Sequence, residues 1–173
     1  MTNLYTEINK LKTLLRKGWV VRNSAKERFE SVAEHIFSCC VLALDIINKE
    51  KLDLDQEKVL KMLIYHELGE IDVGDIIPSE NVSNEDKHQR ELKGVTRIAE
   101  VADSQEMIDI WLEFEENKTK EAQFVNKIDK LEAILQAEVY SKQLGDNALA
   151  KEFYETSKHR IVGLEHYVDD ENK

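Results

Sequence analysis

The fold and the chemistry of this chain are organised around the stretch IYHELGEIDVGD, residues 64–75. His66 and Glu70 lie four residues apart and Glu67 lies three before Glu70, so a helix would present all three on one face. Asp75 follows directly after a glycine. The apolar neighbours of these residues would carry the segment into the interior, where a histidine and three acids are costly unless something pairs with them. A divalent metal is the partner that this combination favours.

The composition predicts one all-α domain over residues 1–173. The chain contains a single proline and only six glycines, and its long segments are rich in residues compatible with helix. The length suits one domain with a sizeable core, and no apolar run approaches the length of a membrane span. A net charge of −11 disfavours binding to a phosphate backbone, whereas a small anionic substrate is compatible with locally placed cations.

Two features of the sequence indicate a reducing, cytoplasmic setting. The N-terminal residues 1–7 are polar and do not resemble a signal peptide. Cys39 and Cys40 are neighbours in an apolar run, where small core residues are the expected interpretation. No membrane or nucleic-acid partner is predicted.

Apolar residues that recur at helical spacing predict a series of helices, at about residues 3–16, 31–48, 56–68, 83–101, 104–116, 120–144 and 146–167. Gly18 is predicted to end the first helix, and Ser31 with Glu34 forms a capping-box pattern at the start of the second. The second helix is apolar almost all round and is therefore predicted to be central. Residues 169–173 are predicted to fray.

Several polar residues outside the opening stretch have two interpretations on local grounds. His35 is a satisfied core histidine or a ligand, and Asp129 is a surface acid or a ligand at the margin of an apolar row. Arg16 is a cation favoured by a helix C-terminus or a phosphate contact. Asp75 is a loop acid or a site residue, and Lys87 is a solvated charge or part of a substrate rim. Local spacing leaves each of these alternatives open.

The ordered series His35, His66-Glu67 and Asp129 resembles the HD superfamily of metal-dependent phosphohydrolases, which presents H…HD…D from separate helices of an all-α bundle. Three further segments resemble signatures of the YfbR-type 5′-deoxynucleotidases: ESVAEH (30–35), GDIIP (74–78) and KIDKLE (127–132). Three more resemble the branch called HD-domain-containing protein 2: RKGWV (16–20), KHQRE (87–91) and ILQA (134–137). The resemblance covers about residues 10–142, with a C-terminal helix beyond it.

The resemblance implies a role for each of ten residues in this chain. The implied metal ligands are His35, His66, Glu67 and Asp129. Glu70 and Asp75 are implied to orient or deprotonate the attacking water and to assist proton transfer. The implied substrate-binding residues are Arg16 as a phosphate clamp, Trp19 beside the sugar or base, and Ser79 and Lys87 at the rim.

A mixed set of imidazole and carboxylate ligands suits Mn²⁺, Co²⁺, Fe²⁺ or Zn²⁺ better than Mg²⁺. The resemblance therefore implies a metal-dependent 5′-deoxynucleotidase that acts on deoxyribonucleoside 5′-monophosphates, and a homodimer formed through apolar residues on the late helices. The chain departs from the family at Glu67, where the family has Asp. The added methylene predicts a retained site with altered metal preference, affinity or rate.

Two alternatives remain at this point. One is an HD phosphohydrolase with a different substrate, namely a nucleoside triphosphate, a cyclic nucleotide or an alarmone. The other is not an enzyme: either a bundle whose acids and histidines are structural, or a decayed module that binds metal or nucleotide without turnover.

Overall fold

The computed structural model describes residues 3–22, 28–77 and 80–173, and its architecture is all-α as predicted. The helices are α1 Asn3–Ile8, α2 Lys17–Arg22, α3 Val32–Glu50, α4 Gln56–Tyr65, α5 Glu70–Val73, α6 Asn84–Ala102, α7 Gln105–Glu116, α8 Lys120–Leu144 and α9 Ala148–Ser157. Within the described ranges the only β-type pairing is an isolated bridge between Leu15 and Ser31. None of the described helices combines the length and the apolar character needed to cross a bilayer.

Helices α3, α4 and α8 surround the main core. The predicted capping box opens α3, since the Ser31 side chain accepts from the Glu34 backbone and Glu34 caps the Ser31 backbone in return. Thr119 caps α8 in a similar way by accepting from the Ala122 backbone. Between these helices lies a row of fully buried side chains, which includes Ile46, Met62, Leu63, Ile128 and Leu131. The prediction that α3 is central is therefore confirmed.

A second apolar cluster joins the N-terminal segment to α6 and α7, with Trp111 fully buried at its centre. Helix α6 approaches the turn after α4 at two glycines. A Cβ atom on Gly69 would lie 2.7 Å from the Glu91 carbonyl oxygen, and one on Gly94 would lie 2.7 Å from the Gly69 carbonyl oxygen. Glycine is required at both positions because any side chain would push α6 away from the turn.

The predicted first helix over residues 3–16 is wrong beyond Ile8. After α1 the chain forms a short 3₁₀ helix at Asn9–Lys12 and then pairs with the segment before α3. The Arg16 amide donates to the Glu30 carbonyl at 2.9 Å, and the Val32 amide donates to the Leu14 carbonyl at 2.8 Å. These non-local bonds take the backbone out of the helix. Gly18 consequently lies inside α2 and does not cap a helix.

The C-terminal helix, predicted over about 146–167, ends at Ser157 as an α-helix and continues as short 3₁₀ turns, the last of them at Asp170–Asn172. The predicted fraying of residues 169–173 is also wrong. Val168 and Asn172 are buried, and the side-chain amide of Asn172 donates to Glu138 Oε1 on α8 at 2.9 Å. A polar anchor on α8 holds this segment in place.

Candidate active site

The stretch at residues 64–75 forms a tight turn between two helices where a continuous helix to Leu68 was predicted. Helix α4 ends at Tyr65, and the amides of Leu68 and Glu70 each donate to the carbonyl three residues earlier, at 3.1 Å. The Trp111 indole holds the turn from the other side by donating to the His66 carbonyl at 3.2 Å. The turn still directs His66, Glu67 and Glu70 into one cavity.

Four side chains from three elements bring their donor atoms together: His35 from the first turn of α3, His66 and Glu67 from the turn after α4, and Asp129 from α8. One ligand atom from each of the four lies within 4.8 Å of all the others. His35 Nε2 is 3.3 Å from Asp129 Oδ1, and His66 Nε2 is 3.4 Å from Glu67 Oε1. The longer arm of Glu67 therefore reaches the cluster.

His66 has the arrangement of a ligand histidine. Its Nδ1 lies 2.8 Å from the Leu63 carbonyl oxygen, which can only accept, so Nδ1 carries the proton. Its Nε2 is then a bare acceptor, buried and without a hydrogen-bond partner among the residues that the structure describes. Burial lowers the pKa of His66 and so favours the neutral imidazole. A buried lone pair with no partner is the feature that a metal ion at this position would satisfy.

Cations surround the carboxylates of the cluster. Lys130 Nζ is 2.7 Å from Asp129 Oδ2, which leaves Oδ1 facing His35. Arg16 donates to Glu67 Oε1 at 2.9 Å. Burial acts to raise the pKa of Glu67, but the adjacent His66 ring and the Arg16 guanidinium outweigh it and lower that pKa to about 2. Glu67 is therefore ionised, as a metal ligand must be.

The donor cluster opens into a cavity of about 870 Å³. Of the residues predicted for the site, those that line this cavity are Arg16, Trp19, His66, Glu67, Glu70, Asp75, Lys87 and Asp129. His35 lies behind this wall and is fully buried. Ser79 lies outside the described residues. Three further cations that the sequence interpretation did not select also line the cavity: Arg22, Lys130 and Arg160.

The two acids predicted to assist catalysis have different surroundings. Glu70 is buried, and its Oε2 has no hydrogen-bond partner in the described part of the chain. Burial, followed by the charges of Glu67 and Asp75, raises the pKa of Glu70 well above its ordinary value. Asp75 Oδ2 accepts from the Lys17 amide at 2.5 Å, which ties the loop after α5 to the start of α2.

The predicted substrate-binding residues Trp19 and Lys87 line the cavity from helices α2 and α6. The Trp19 ring is stacked on Phe153 with centroids 4.5 Å apart, and its indole donates to Glu30 Oε2 at 3.0 Å. This packing makes Trp19 a fixed part of the wall. Lys87, on α6, is 3.4 Å from Glu91 and remains partly exposed.

Sequence reasoning missed two acids next to the site. Glu91 lines the cavity, its buried Oε1 lies 3.4 Å from Lys87 Nζ without a hydrogen bond to any described residue, and burial raises the pKa of Glu91 to about 7. Glu132 lies behind His35, with 2.6 Å between Glu132 Oε2 and His35 Nδ1. The spacing of Glu132, three residues after Asp129 on one helix, was the available signal, because residues three apart share a helix face.

Known proteins share this sequence and this fold. The family model described as "HD domain" matches residues 8–166. The 5′-deoxynucleotidase HDDC2 of Dictyostelium discoideum is 37% identical over 142 residues, which are 78% of this chain and 74% of that protein. The 5′-deoxynucleotidase HDDC2 of Danio rerio is 34% identical over 150 residues, which are 85% of this chain and 72% of that protein.

The crystal structure of the PH0347 protein from Pyrococcus horikoshii OT3 matches this fold with a TM-score of 0.77 at 32% identity, covering 96% of this chain and 93% of that one. The similarity therefore extends over almost the whole length of both chains. The four converging side chains lie within the residues that the family model matches.

Proposed function

This chain belongs to the HD domain family, and on that premise we propose that it is a metal-dependent phosphohydrolase that releases phosphate from deoxyribonucleoside 5′-monophosphates. The observation that carries the proposal is the buried cluster of two imidazoles and two carboxylates at one end of a cavity lined with cations. The names of the relatives support the same substrate class.

His35, His66, Glu67 and Asp129 would hold the metal in this proposal. Two imidazole nitrogens and two carboxylate oxygens fit Mn²⁺, Co²⁺, Fe²⁺ or Zn²⁺, while Mg²⁺ prefers oxygen ligands and keeps its waters. The unpartnered Nε2 of His66 is the feature of the chain that fits such an ion best. When bound, the ion would lower the pKa of a water and polarise the phosphoryl group.

Glu70 and Asp75 would manage the proton of the attacking water. Glu70 presents an unpartnered oxygen, so it can accept a hydrogen bond from a water in the cavity. Because burial raises its pKa, the Glu70 carboxylate is a stronger base than an ordinary glutamate side chain. Asp75, held by the Lys17 amide, would act beside it in proton transfer or in binding at the same end of the cavity.

Arg16 would bind the phosphate, since a guanidinium can contact two oxygens at once. In the described structure Arg16 pairs with Glu67, so it already lies beside the proposed metal ligands. Trp19 would form the wall for the sugar or base, and Ser79 and Lys87 would contribute to the rim. The phosphoryl charge would then be met by cations on more than one side.

The wider setting of the protein is proposed from its composition and its exposed apolar residues. We propose a single-domain cytoplasmic protein that acts on free nucleotides without a nucleic-acid or membrane partner, in keeping with its net charge of −11. We also propose a homodimer. Phe37 and Val41, one turn apart on α3, are 70% and 53% exposed, and Val139 and Val162 on the later elements are also exposed.

The test is phosphate release from a panel of deoxy- and ribonucleoside 5′-monophosphates, each with Co²⁺, Mn²⁺, Mg²⁺ or chelator. The expected result is metal-dependent release that favours the deoxy substrates. Release only from triphosphates, cyclic nucleotides or alarmones would replace this substrate class with another. Metal binding without release from any nucleotide would overturn the enzyme proposal and leave a binding module.

A further inference from the structure

His35 contacts acids at both of its ring nitrogens, and the two acids belong to the same helix. Nε2 faces Asp129 Oδ1 at 3.3 Å within the proposed metal cluster. Nδ1 lies 2.6 Å from Glu132 Oε2, on the side away from the cavity. His35 and Glu132 are both buried, so water does not compete for this contact. Glu132 does not line the cavity and has no role in the proposed reaction.

Glu132 in turn contacts a second buried acid. The Glu30 carboxyl group lies near enough to the Glu132 carboxyl group for the two to interact electrostatically. Burial, followed by the charge of Glu132, raises the pKa of Glu30 to about 7, in keeping with a protonated Glu30. A carboxylic acid paired with a carboxylate avoids two unpaired buried charges.

Glu30 also holds Arg16 and helix α2, which begins at the next residue and carries Trp19. Its side chain accepts from the Trp19 indole at 3.0 Å, and its carbonyl oxygen accepts from the Arg16 amide at 2.9 Å. Its own amide donates to the Tyr140 hydroxyl at 2.9 Å. Glu30 is therefore fixed on several sides and connects α2 to α8.

We propose that Glu132 is a positioning residue that holds His35 with Nδ1 protonated and Nε2 directed at the metal, and that Glu30 links this contact to Arg16 and Trp19. The inference rests on the proposed function for the identity of the metal site. The residues Trp19, Glu30, Glu132 and His35 then form a path from the cavity wall to a proposed metal ligand, and Glu30 and Glu132 on this path do not line the cavity.

Glu132 would act on the metal site by controlling the tautomer and the orientation of the His35 ring. A histidine ligand needs one bare nitrogen toward the ion, and the hydrogen bond at the other nitrogen decides which one is bare. A carboxylate at Nδ1 also makes the ring more basic and binds it more firmly than a neutral acceptor does. His66 uses the Leu63 carbonyl for the same purpose, so the two histidines differ in their second contact.

The first experiment measures Co²⁺ affinity of chelator-stripped protein by calorimetry for Glu132→Gln. The expected result is a loss of about 10–100-fold, the usual effect of removing such an outer contact. The matched control is Glu138→Gln, which changes a buried, hydrogen-bonded glutamate on the same helix and should leave the affinity unchanged. Equal affinities for wild type and Glu132→Gln would overturn the proposal.

A second readout separates positioning from general destabilisation. ¹⁵N NMR of the imidazole nitrogens in Zn²⁺-loaded protein should show His35 protonated at Nδ1 and unprotonated at Nε2, the nitrogen directed at the ion. Glu132→Gln should shift the His35 Nδ1 signal, whereas Glu138→Gln should not. Unchanged His35 signals in folded Glu132→Gln would overturn the positioning role. Neither readout involves a nucleotide, so failure here is distinct from failure of the proposed substrate.

The link through Glu30 is tested with a pair of variants. Glu30→Gln can still accept from Trp19 and donate to Glu132, so it should retain Co²⁺ affinity within a few-fold. Glu30→Ala breaks the path, and we expect weaker Co²⁺ binding together with a raised KM for the nucleotide. If Glu30→Ala changes stability alone, with both constants at wild-type values, Glu30 is structural and the link is refuted.

Discussion

Helix α8 carries buried acids in two regions that differ in how those acids are satisfied. Toward its C-terminal end, Glu138 Oε1 accepts from the Asp169 amide and from the Asn172 side chain, both at 2.9 Å. Toward its middle, Asp129 and Glu132 belong to a cluster that ends at the unpartnered Nε2 of His66. Glu138 is therefore satisfied within the protein, whereas the cluster in the middle of α8 is not.

The difference separates an acid that the protein itself satisfies, Glu138, from acids in the cluster that is proposed to hold a metal. Burying a charged group is tolerable when the protein supplies its partners, as the C-terminal segment does for Glu138. Among the described residues, the buried side-chain atoms without a hydrogen-bond partner are His66 Nε2, Glu70 Oε2, Glu91 Oε1 and Asn172 Oδ1, and the first three belong to residues that line the same cavity. The described residues supply no hydrogen-bond partner for these three atoms, and a ligand bound in the cavity would supply one.

The largest expected effect follows from removing a proposed ligand. Asp129→Asn takes away a negative charge that faces His35, and we expect loss of bound Co²⁺ together with a fall in phosphate release of about 1,000-fold or more, since an ion supplies several kcal/mol to the transition state. Metal analysis and initial rates on the same preparation check both. Full activity in Asp129→Asn would place the metal elsewhere.

Glu70→Gln separates metal binding from proton transfer. The amide keeps the size of the side chain but cannot act as a base, so kcat should fall by about 100- to 10,000-fold while Co²⁺ content is unchanged. Steady-state kinetics with metal analysis makes the measurement. If Co²⁺ is lost along with the rate, Glu70 is a ligand and the assignment as base is wrong.

Glu138→Gln tests the acid on α8 that is hydrogen-bonded within the protein. A hydrogen bond to a buried charge becomes one to a neutral amide, so the free energy of unfolding should fall by about 1–2 kcal/mol. Denaturant unfolding measures the change, and phosphate release at a temperature where the variant is folded should equal that of the wild type. A loss of activity without a loss of stability would make this region functional.

The smallest effect concerns Glu113, an acid at the edge of the fold that the protein also satisfies. Burial acts to raise its pKa, but the bonds from Lys58 and Thr119, each at 2.6 Å, outweigh burial and lower that pKa below its ordinary value of 4.5. Because the folded pKa is depressed, the stabilisation is present above pH 4.5 and is lost as the pH falls below it.

We therefore expect Glu113→Gln to lower the free energy of unfolding at neutral pH by about 1 kcal/mol, a value reduced by partial exposure of the pair. The difference from wild type should shrink as the pH falls below 4.5. Denaturant unfolding at several pH values measures it. A difference that does not depend on pH would show that charge at Glu113 is irrelevant.

Local patterns predicted the parts of this fold that local interactions determine. Helix α8 runs over the predicted residues because Thr119 caps its start and an apolar row continues along its length. Helix α1 was predicted too long because the bonds that end it come from residues 30–32, which spacing within residues 3–16 cannot reveal. The order of the C-terminal segment could not be predicted locally for the same reason, because Asn172 is held by Glu138, which is distant in sequence.

The candidate site also divides into parts that the sequence predicted and parts that depend on packing between distant segments. Ordered motifs led to the ligand cluster and to Glu70, Asp75 and Arg16, but not to the way in which the turn at residues 66–69 holds them. That turn depends on a contact between Gly69 and α6. The contact between Glu132 and His35 also joins two helices far apart in sequence. Such partners become visible only when the helices are packed together.

The central claim is that the cavity end of the molecule lacks a partner that a transition metal supplies. The most direct measurement is thermal unfolding of chelator-stripped protein with and without Co²⁺. Binding to the folded state alone at a Co²⁺ concentration of 100 times Kd stabilises by about 2.7 kcal/mol, so we predict a clear rise in Tm that Asp129→Asn abolishes and Glu138→Gln retains. A Tm that Co²⁺ does not change, or a rise that persists in Asp129→Asn, would contradict the claim.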